Sequence, residues 1–188
     1  MFVRLLRFTA WVFLLPHATA ACYNEAASRY GVPEPLLRAI AQVESGSADA
    51  RTVENVNPNG TRDIGRMQIN SGWLTTLRPY GITENSLREE CTSIHVGAWI
   101  LANNMLQHGG LSWTAVGAYN VGCLKLSKEE CERRRNTYSW RVYRALQAQL
   151  SARPAAPVHP AQAQAQSGPQ AGPSPAPVSR ISSLTFDP

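Results

Sequence analysis

Glu44 closes a mostly apolar run, Leu36-Leu37-Arg38-Ala39-Ile40-Ala41-Gln42-Val43, and opens the polar stretch Ser45-Gly46-Ser47. A carboxyl with its back to a core and its face to a loop suits a general acid, because partial burial disfavours the charged form and lifts the pKa from about 4.3 toward working pH. A glutamate at a helix end is usually a solvated surface group, so Glu44 gains weight only from its company. Asp63-Ile64-Gly65-Arg66-Met67-Gln68-Ile69-Asn70 pairs a glycine that permits close backbone approach with the amides of Gln68 and Asn70. Such amides suit a neutral, hydroxyl-rich ligand that carries acetamido groups. Ala118-Tyr119-Asn120-Val121-Gly122 sets a phenol and an amide at a helix end, and Asn136-Thr137-Tyr138-Ser139-Trp140 supplies a second phenol. Each has a plainer reading as well: a buried turn with satisfied amides, a packing tyrosine beside an Asn cap, and an aromatic core stripe shared with Val142.

The elements that must hold these groups are helical. Periodicity predicts a short helix over Cys22 to Tyr30 stopped by Gly31, then a helix to Glu44 with Pro33 and Pro35 in its first turn, where a missing N–H is harmless. Asn57-Pro58-Asn59-Gly60 is turn chemistry within Asn55 to Asp63, the tip of a small hairpin or loop. A short helix is expected over Gly72 to Tyr80, and a long central one over Ser86 to Gln107 with Ile94, Ala98, Leu101 and Met105 on its apolar face. Ser112 and Ser127 cap two further helices, through Tyr119 and to about Gln149. The fold class is mainly α, a single domain with at most a small β element.

Residues 1–20 read as a signal peptide: Arg4 and Arg7 form a positive region, Phe8 to Leu15 an apolar one, and Ala18-Thr19-Ala20 a cleavage site. The chain is therefore expected to be exported to the periplasm. A lipoprotein anchored at Cys22 is disfavoured, because Thr19 stands where such a signal has Leu. Cys22, Cys91, Cys123 and Cys131 form no CxxC pair and no zinc spacing, so two disulfides are expected in an oxidising compartment. Of the three possible connectivities, the favoured one is Cys22 with Cys91 and Cys123 with Cys131. The first ties the N-terminal helix to the central one, and the second closes a short polar loop. The formal charge of +5 falls to +3 once Arg4 and Arg7 leave with the leader. That excess favours an anionic polymer but lacks the basic stripe of a nucleic-acid binder. Residues 151–188 shift to Pro, Ala, Gln and Ser, a composition that predicts a flexible tail. Residues 22–150 remain, about 130 in all and enough for one compact domain, expected to act as a monomer.

The ordered set Ala39-Ile40-Ala41-Gln42-Val43-Glu44-Ser45-Gly46, Gly65-Arg66-Met67-Gln68-Ile69-Asn70 and Ala118-Tyr119-Asn120-Val121-Gly122 resembles the successive signatures of lytic transglycosylases with the goose-lysozyme-like fold. The likeness is nearest to the small exported members that accompany type III secretion, type IV secretion and pilus machines. Asn59-Gly60-Thr61, Ile69 to Leu74 and Cys91 to Leu101 extend it across nearly the whole domain. The resemblance implies that Glu44 is the single catalytic acid/base, with Ser45 its hydrogen-bonding neighbour. Met67, Gln68 and Asn70 would line the groove with Tyr119 and Asn120, and Tyr138 would hydrogen-bond the catalytic carboxyl. Two departures stand out. Arg66 occupies a usually apolar position, with Asp63 its expected partner if it faces the core and peptide-stem carboxylates if it faces the groove. Ser47-Ala48-Asp49-Ala50-Arg51 replaces an aromatic and Asn-Pro segment.

The implied reaction cleaves the β-1,4 bond between N-acetylmuramic acid and N-acetylglucosamine in peptidoglycan strands, with neither metal nor cofactor. Secretion or pilus components are possible partners through the tail. A hydrolytic lysozyme is the enzymatic rival and needs a second carboxylate, from Asp49, Glu54 or Asp63, with Asp63 the best placed. A catalytically degenerate glycan-binding module is the non-enzymatic one.

Overall fold

The computed structural model describes residues 17–152. Residues 153–188 of the expected tail and most of the expected leader lie outside the described residues, and the first two residues of that tail, Ser151 and Ala152, are helical. Helix α1 spans His17–Tyr30, starting ahead of the expected Cys22 and running through the expected cleavage site. Helix α2, Glu34–Ser45, has Pro33 as its N-cap and Pro35 in its first turn. Leu36, Leu37, Ile40 and Ala41 form one stripe at helical spacing and are buried. Gly46 then ends the helix, its N–H donating to the Gln42 carbonyl at 3.1 Å. Glu44 thus sits in the last turn, rooted in the core on one side only.

The small β element is a three-stranded antiparallel sheet of β1 (Glu54–Val56), β2 (Arg62–Ile64) and β3 (Ile69–Asn70), in that order. Asn55 pairs with Asp63, and Asp63 with Asn70. The hairpin tip closes where the Gly60 N–H meets the Asn57 carbonyl at 2.9 Å and Asn59 Oδ1 accepts from the Thr61 N–H at 3.1 Å. A 3-10 turn at Ser71–Trp73, helix α3 (Leu74–Leu77) and a second 3-10 turn at Arg78–Tyr80 fill the segment expected to be one short helix.

The long central helix expected from Ser86 is two helices, α4 (Glu84–Leu87) and α5 (Glu90–Gln107). Ser86 does not start a helix. It is the third residue of a capping box, its backbone N–H bonded to the Thr83 hydroxyl at 3.3 Å and its own hydroxyl accepting from the Thr83 N–H at 2.7 Å. Glu89 is extended and re-caps the chain. The short α4 carries the ion-paired strap Glu54–Arg88–Glu84–Arg62, which ties it to the hairpin.

Helix α5 is buried on more than the one expected stripe: Ser93, Ile94, Val96, Gly97, Ala98, Ile100, Leu101 and Ala102 all lie inside. It is the axis on which α1, α2 and α6 (Trp113–Asn120) pack, while α7 (Lys128–Ala152) lies against α2 and α6. Ser112 Oγ accepts from the Ala115 N–H at 3.2 Å and Ser127 Oγ from the Glu130 N–H at 3.2 Å, the caps of the last two helices.

Cys22 is bonded to Cys91 and Cys123 to Cys131, with Cα atoms 5.3 and 5.5 Å apart. Closing loops of these lengths removes roughly 4 and 2–3 kcal/mol of unfolded-chain entropy on the simplest model. No described helix is long and apolar enough to cross a membrane.

Candidate active site

A groove of about 790 Å³ runs between the hairpin, the end of α2 and the end of α6; Glu44, Asp63, Gln68, Asn70, Tyr119 and Asn120 are among its lining residues. Close backbone packing sets its back wall. A Cβ on Gly117 would stand 2.7 Å from the Arg135 Cβ and 2.9 Å from its carbonyl oxygen, so glycine lets α6 and α7 approach to contact. That approach brings Tyr119 and Tyr138 to the same side of Glu44.

The Tyr138 hydroxyl donates to Glu44 Oε1. No hydrogen bond within the described residues holds Oε2. The Glu44 carboxyl is pushed up to about 7, chiefly by burial and further by the negative charge of Asp63; the Tyr138 bond and the Arg141 guanidinium pull the other way. Burial, with Glu44 nearby, holds the Tyr119 and Tyr138 phenols well above their ordinary range, so both remain neutral donors. The Tyr119 hydroxyl donates to the Met67 carbonyl at 2.9 Å.

Ser45 lies behind Glu44, its hydroxyl donating to the Arg66 carbonyl at 2.8 Å. Arg66 pairs with Glu90 at 2.9 Å rather than with Asp63, and its Nη1 reaches Ser45 Oγ and the Gly46 carbonyl, each at 2.9 Å. It thereby joins the carbonyl end of α2 to an acidic residue in the first turn of α5, matching both helix dipoles. The departure at Arg66 is therefore a clamp on the helix end that carries Glu44.

Three expectations need correcting in detail. Met67 is fully buried, packs against Gly97 and faces the core under the groove; its carbonyl, not its side chain, serves the wall. Gln68 lines the groove in a left-handed backbone conformation, φ 47°. Its amide is already engaged, donating to the Gly65 carbonyl at 2.9 Å and accepting from Asn55. Asn70 is likewise occupied by Thr61, Asp63 and the Gly72 N–H. Both amides build the wall, which leaves the exposed Asn120 as the amide with no side-chain partner in the described residues.

Of the three candidate second carboxylates only Asp63 faces the groove, and its two oxygens accept from Asn70 at 2.8 Å and Asn57 at 3.0 Å. Asp49 accepts from the Arg51 N–H in its own turn, and Glu54 belongs to the ion-paired strap. Trp73, edge-on to Trp99, also lines the groove. A half-exposed Trp straight after Asn70-Ser71-Gly72 is the sequence signal of an apolar sugar-facing surface.

A helical lysozyme-like frame with one proton-holding carboxyl in a long polar groove defines a glycan-cleaving enzyme. The transglycosylase SLT domain matches residues 21–140. Protein IpgF of Shigella flexneri is 40% identical over 140 residues, covering 71% of this chain and 88% of its own length. Invasion protein IagB of Salmonella typhi is 36% identical over 137 residues, covering 72% and 83%. The X-ray structure of an inactive mutant of the lytic transglycosylase Slt from Pseudomonas aeruginosa superposes with a TM-score of 0.54 at 22% identity, over 74% of this chain and 25% of that one. The chain belongs to the transglycosylase SLT-domain family. It is a peptidoglycan lytic transglycosylase.

Proposed function

We propose that the enzyme cleaves the β-1,4 bond between N-acetylmuramic acid and N-acetylglucosamine and leaves a 1,6-anhydromuramic end. The observation that carries this is the Glu44 carboxyl, fixed by Tyr138 through one oxygen, open to the groove through the other, and holding its proton up to about pH 7. Protonated Glu44 gives its proton to the glycosidic oxygen as the C1–O bond breaks. The neighbouring acetamido oxygen bonds C1 and stabilises its positive charge. Ionised Glu44 then takes the proton of the C6 hydroxyl, O6 displaces the acetamido oxygen at C1, and Glu44 is protonated again. No water and no second carboxylate take part, and holding O6 against C1 supplies effective concentration.

The groove also contains Asp63, the feature that favours hydrolysis as a second reading, yet both of its oxygens are occupied by neutral amides. Mass spectrometry of the soluble products from purified peptidoglycan sacculi separates the readings. Anhydro-muropeptides are the expected result, reducing ends would mean a hydrolase, and binding without products a glycan-binding module.

The pattern of residues 1–20 and the two disulfides support export to the periplasm, where the enzyme acts as a monomer. The likeness to invasion protein IagB supports local opening of the wall for a secretion or pilus apparatus, with residues 151–188 as the segment that meets it.

Tyr138→Phe tests how Glu44 is tuned. The lost bond stabilises the carboxylate, so its removal raises the proton affinity of Glu44 further. The alkaline limb of kcat/KM, expected near pH 7, should move upward, and turnover should fall roughly tenfold, the worth of one hydrogen bond. An unmoved limb would make Tyr138 a packing residue only.

A further inference from the structure

The sugars of a peptidoglycan strand carry no charge, and its negative charge resides in the free carboxylates of the peptide stems attached to the muramic acid lactyl groups. Against that chemistry, a second hollow of about 810 Å³ opens off the catalytic groove and shares Asn59, Asn120, Gly122 and Arg134 with it. One wall is the loop after α6, tied by Cys123–Cys131; the other is the α7 face on which Arg134, Tyr138 and Arg141 follow one another at helical spacing. Tyr138 links the two spaces, since its hydroxyl holds Glu44.

The hollow is cationic. Lys125, Arg133, Arg134 and Arg141 line it against Glu130 alone. Glu130 bonds Arg133 and Arg134 together and orients both, leaving the pair net positive. Arg141 donates to the Val43 carbonyl at 3.3 Å and forms no ion pair, its charge reaching only Glu44, which holds its proton up to about pH 7, and Lys125 has no partner, among the described residues. Three positive charges are thus uncompensated on a rigid helix and a disulfide-tied loop, which lowers the ordering cost of binding an anion.

We infer that this hollow is a peptide-stem subsite: Lys125, Arg133, Arg134 and Arg141 receive stem carboxylates and make the enzyme selective for peptide-bearing over denuded glycan strands. The inference rests on the transglycosylase reading and adds to it the part of the polymer that is recognised. Guanidinium forks suit carboxylates through paired N–H bonds, and the exposed lysine adds a mobile positive charge.

The test compares kcat/KM on two preparations from the same sacculi, stem-bearing strands and strands stripped by an amidase, which keep one lactyl carboxylate on each muramic acid in place of the stem carboxylates. The wild type is expected to favour stem-bearing strands roughly tenfold. In the Lys125→Gln/Arg133→Gln double variant, whose side chains are exposed and lie outside the catalytic groove, that ratio should fall to about two- or threefold, with the change in KM. About 0.5 M salt should shrink the wild-type ratio similarly, and Lys125→Arg/Arg133→Lys should restore it. Equal turnover of both preparations, or a ratio unmoved in the double variant (as for a surface that serves an acidic protein instead), overturns the subsite. Absence of anhydro products from either preparation defeats the transglycosylase reading itself, and the inference with it.

Discussion

Glu44→Gln is expected to lower the release of anhydro-muropeptides by between about 100-fold and 10,000-fold, the range that a positioned proton donor supplies. The amide keeps the shape of the carboxyl and still accepts the Tyr138 hydroxyl, so fold and strand binding should survive. The same substitution should change stability in a direction set by the proton. Native Glu44 holds its proton up to about pH 7, while the unfolded chain releases it near 4.5. Below the lower value both states are protonated and Glu44 has no differential effect. Between the two, the native state retains a proton that the unfolded state has lost, so stability falls as pH rises and levels off above 7, by up to about 3 kcal/mol in all. Glutamine removes that dependence. The variant should therefore melt close to the wild type at pH 4 and well above it at pH 8. Residual activity within a few-fold of wild type would defeat the acid/base assignment, and equal melting shifts at both pH values would show that Glu44 is not held in its protonated form.

That pairing of lost activity with gained stability is what a functional carboxyl in a half-buried position implies. Burial and three neighbouring groups act on Glu44, and they do not act in one direction. Tyr138 and Arg141 favour its ionised form, while burial and Asp63 favour the neutral one. A group that must both give and take a proton in one turnover is best served by such a balance near working pH.

What the sequence could reveal depended on how local each cause is. The end of α2 at Gly46 and the caps Ser112 and Ser127 act within one turn of the chain, and the structure places them where the local pattern does. The gap between α4 and α5 was not legible, because Ser86 is as plausible a first residue as a third one, and only the Thr83 hydroxyl distinguishes the two. The partner of Arg66 was not legible either. Asp63 is near in sequence, but Glu90 is nearer in space, across a helix packing that no periodicity encodes. For the candidate site, residue types alone left Glu44 and both phenols with plainer readings, and only the ordered motifs and their family resemblance pointed to them; neither revealed that Gln68 and Asn70 give their amides to the wall. Chemistry-bearing types mark a region; which of their atoms are already bonded is a tertiary fact.

Gly65→Ala carries that argument to its largest structural effect. Gly65 stands between β2 and the Met67-Gln68 turn at φ 75°, where an L side chain is strained, and its Cβ would lie 2.1 Å from the Leu87 carbonyl oxygen and 3.1 Å from Ser93 Oγ. Neither neighbour can yield cheaply. The Leu87 carbonyl is backbone at the end of α4, and Ser93 Oγ accepts from the Met67 N–H at 3.0 Å. The left-handed conformation costs roughly 1 kcal/mol and overpacking typically about 1–3 more, so a loss of roughly 2–4 kcal/mol is expected as a lower urea midpoint with unchanged slope. Function should fall further than stability. A displaced turn moves the Met67 carbonyl that holds Tyr119 and the Gly65 carbonyl that holds Gln68, two supports of the groove wall. Protein still folded at low temperature should therefore show impaired turnover. A loss under about 1 kcal/mol would mean that the turn is not wedged against α4, and that the glycine of this motif serves only its own backbone conformation.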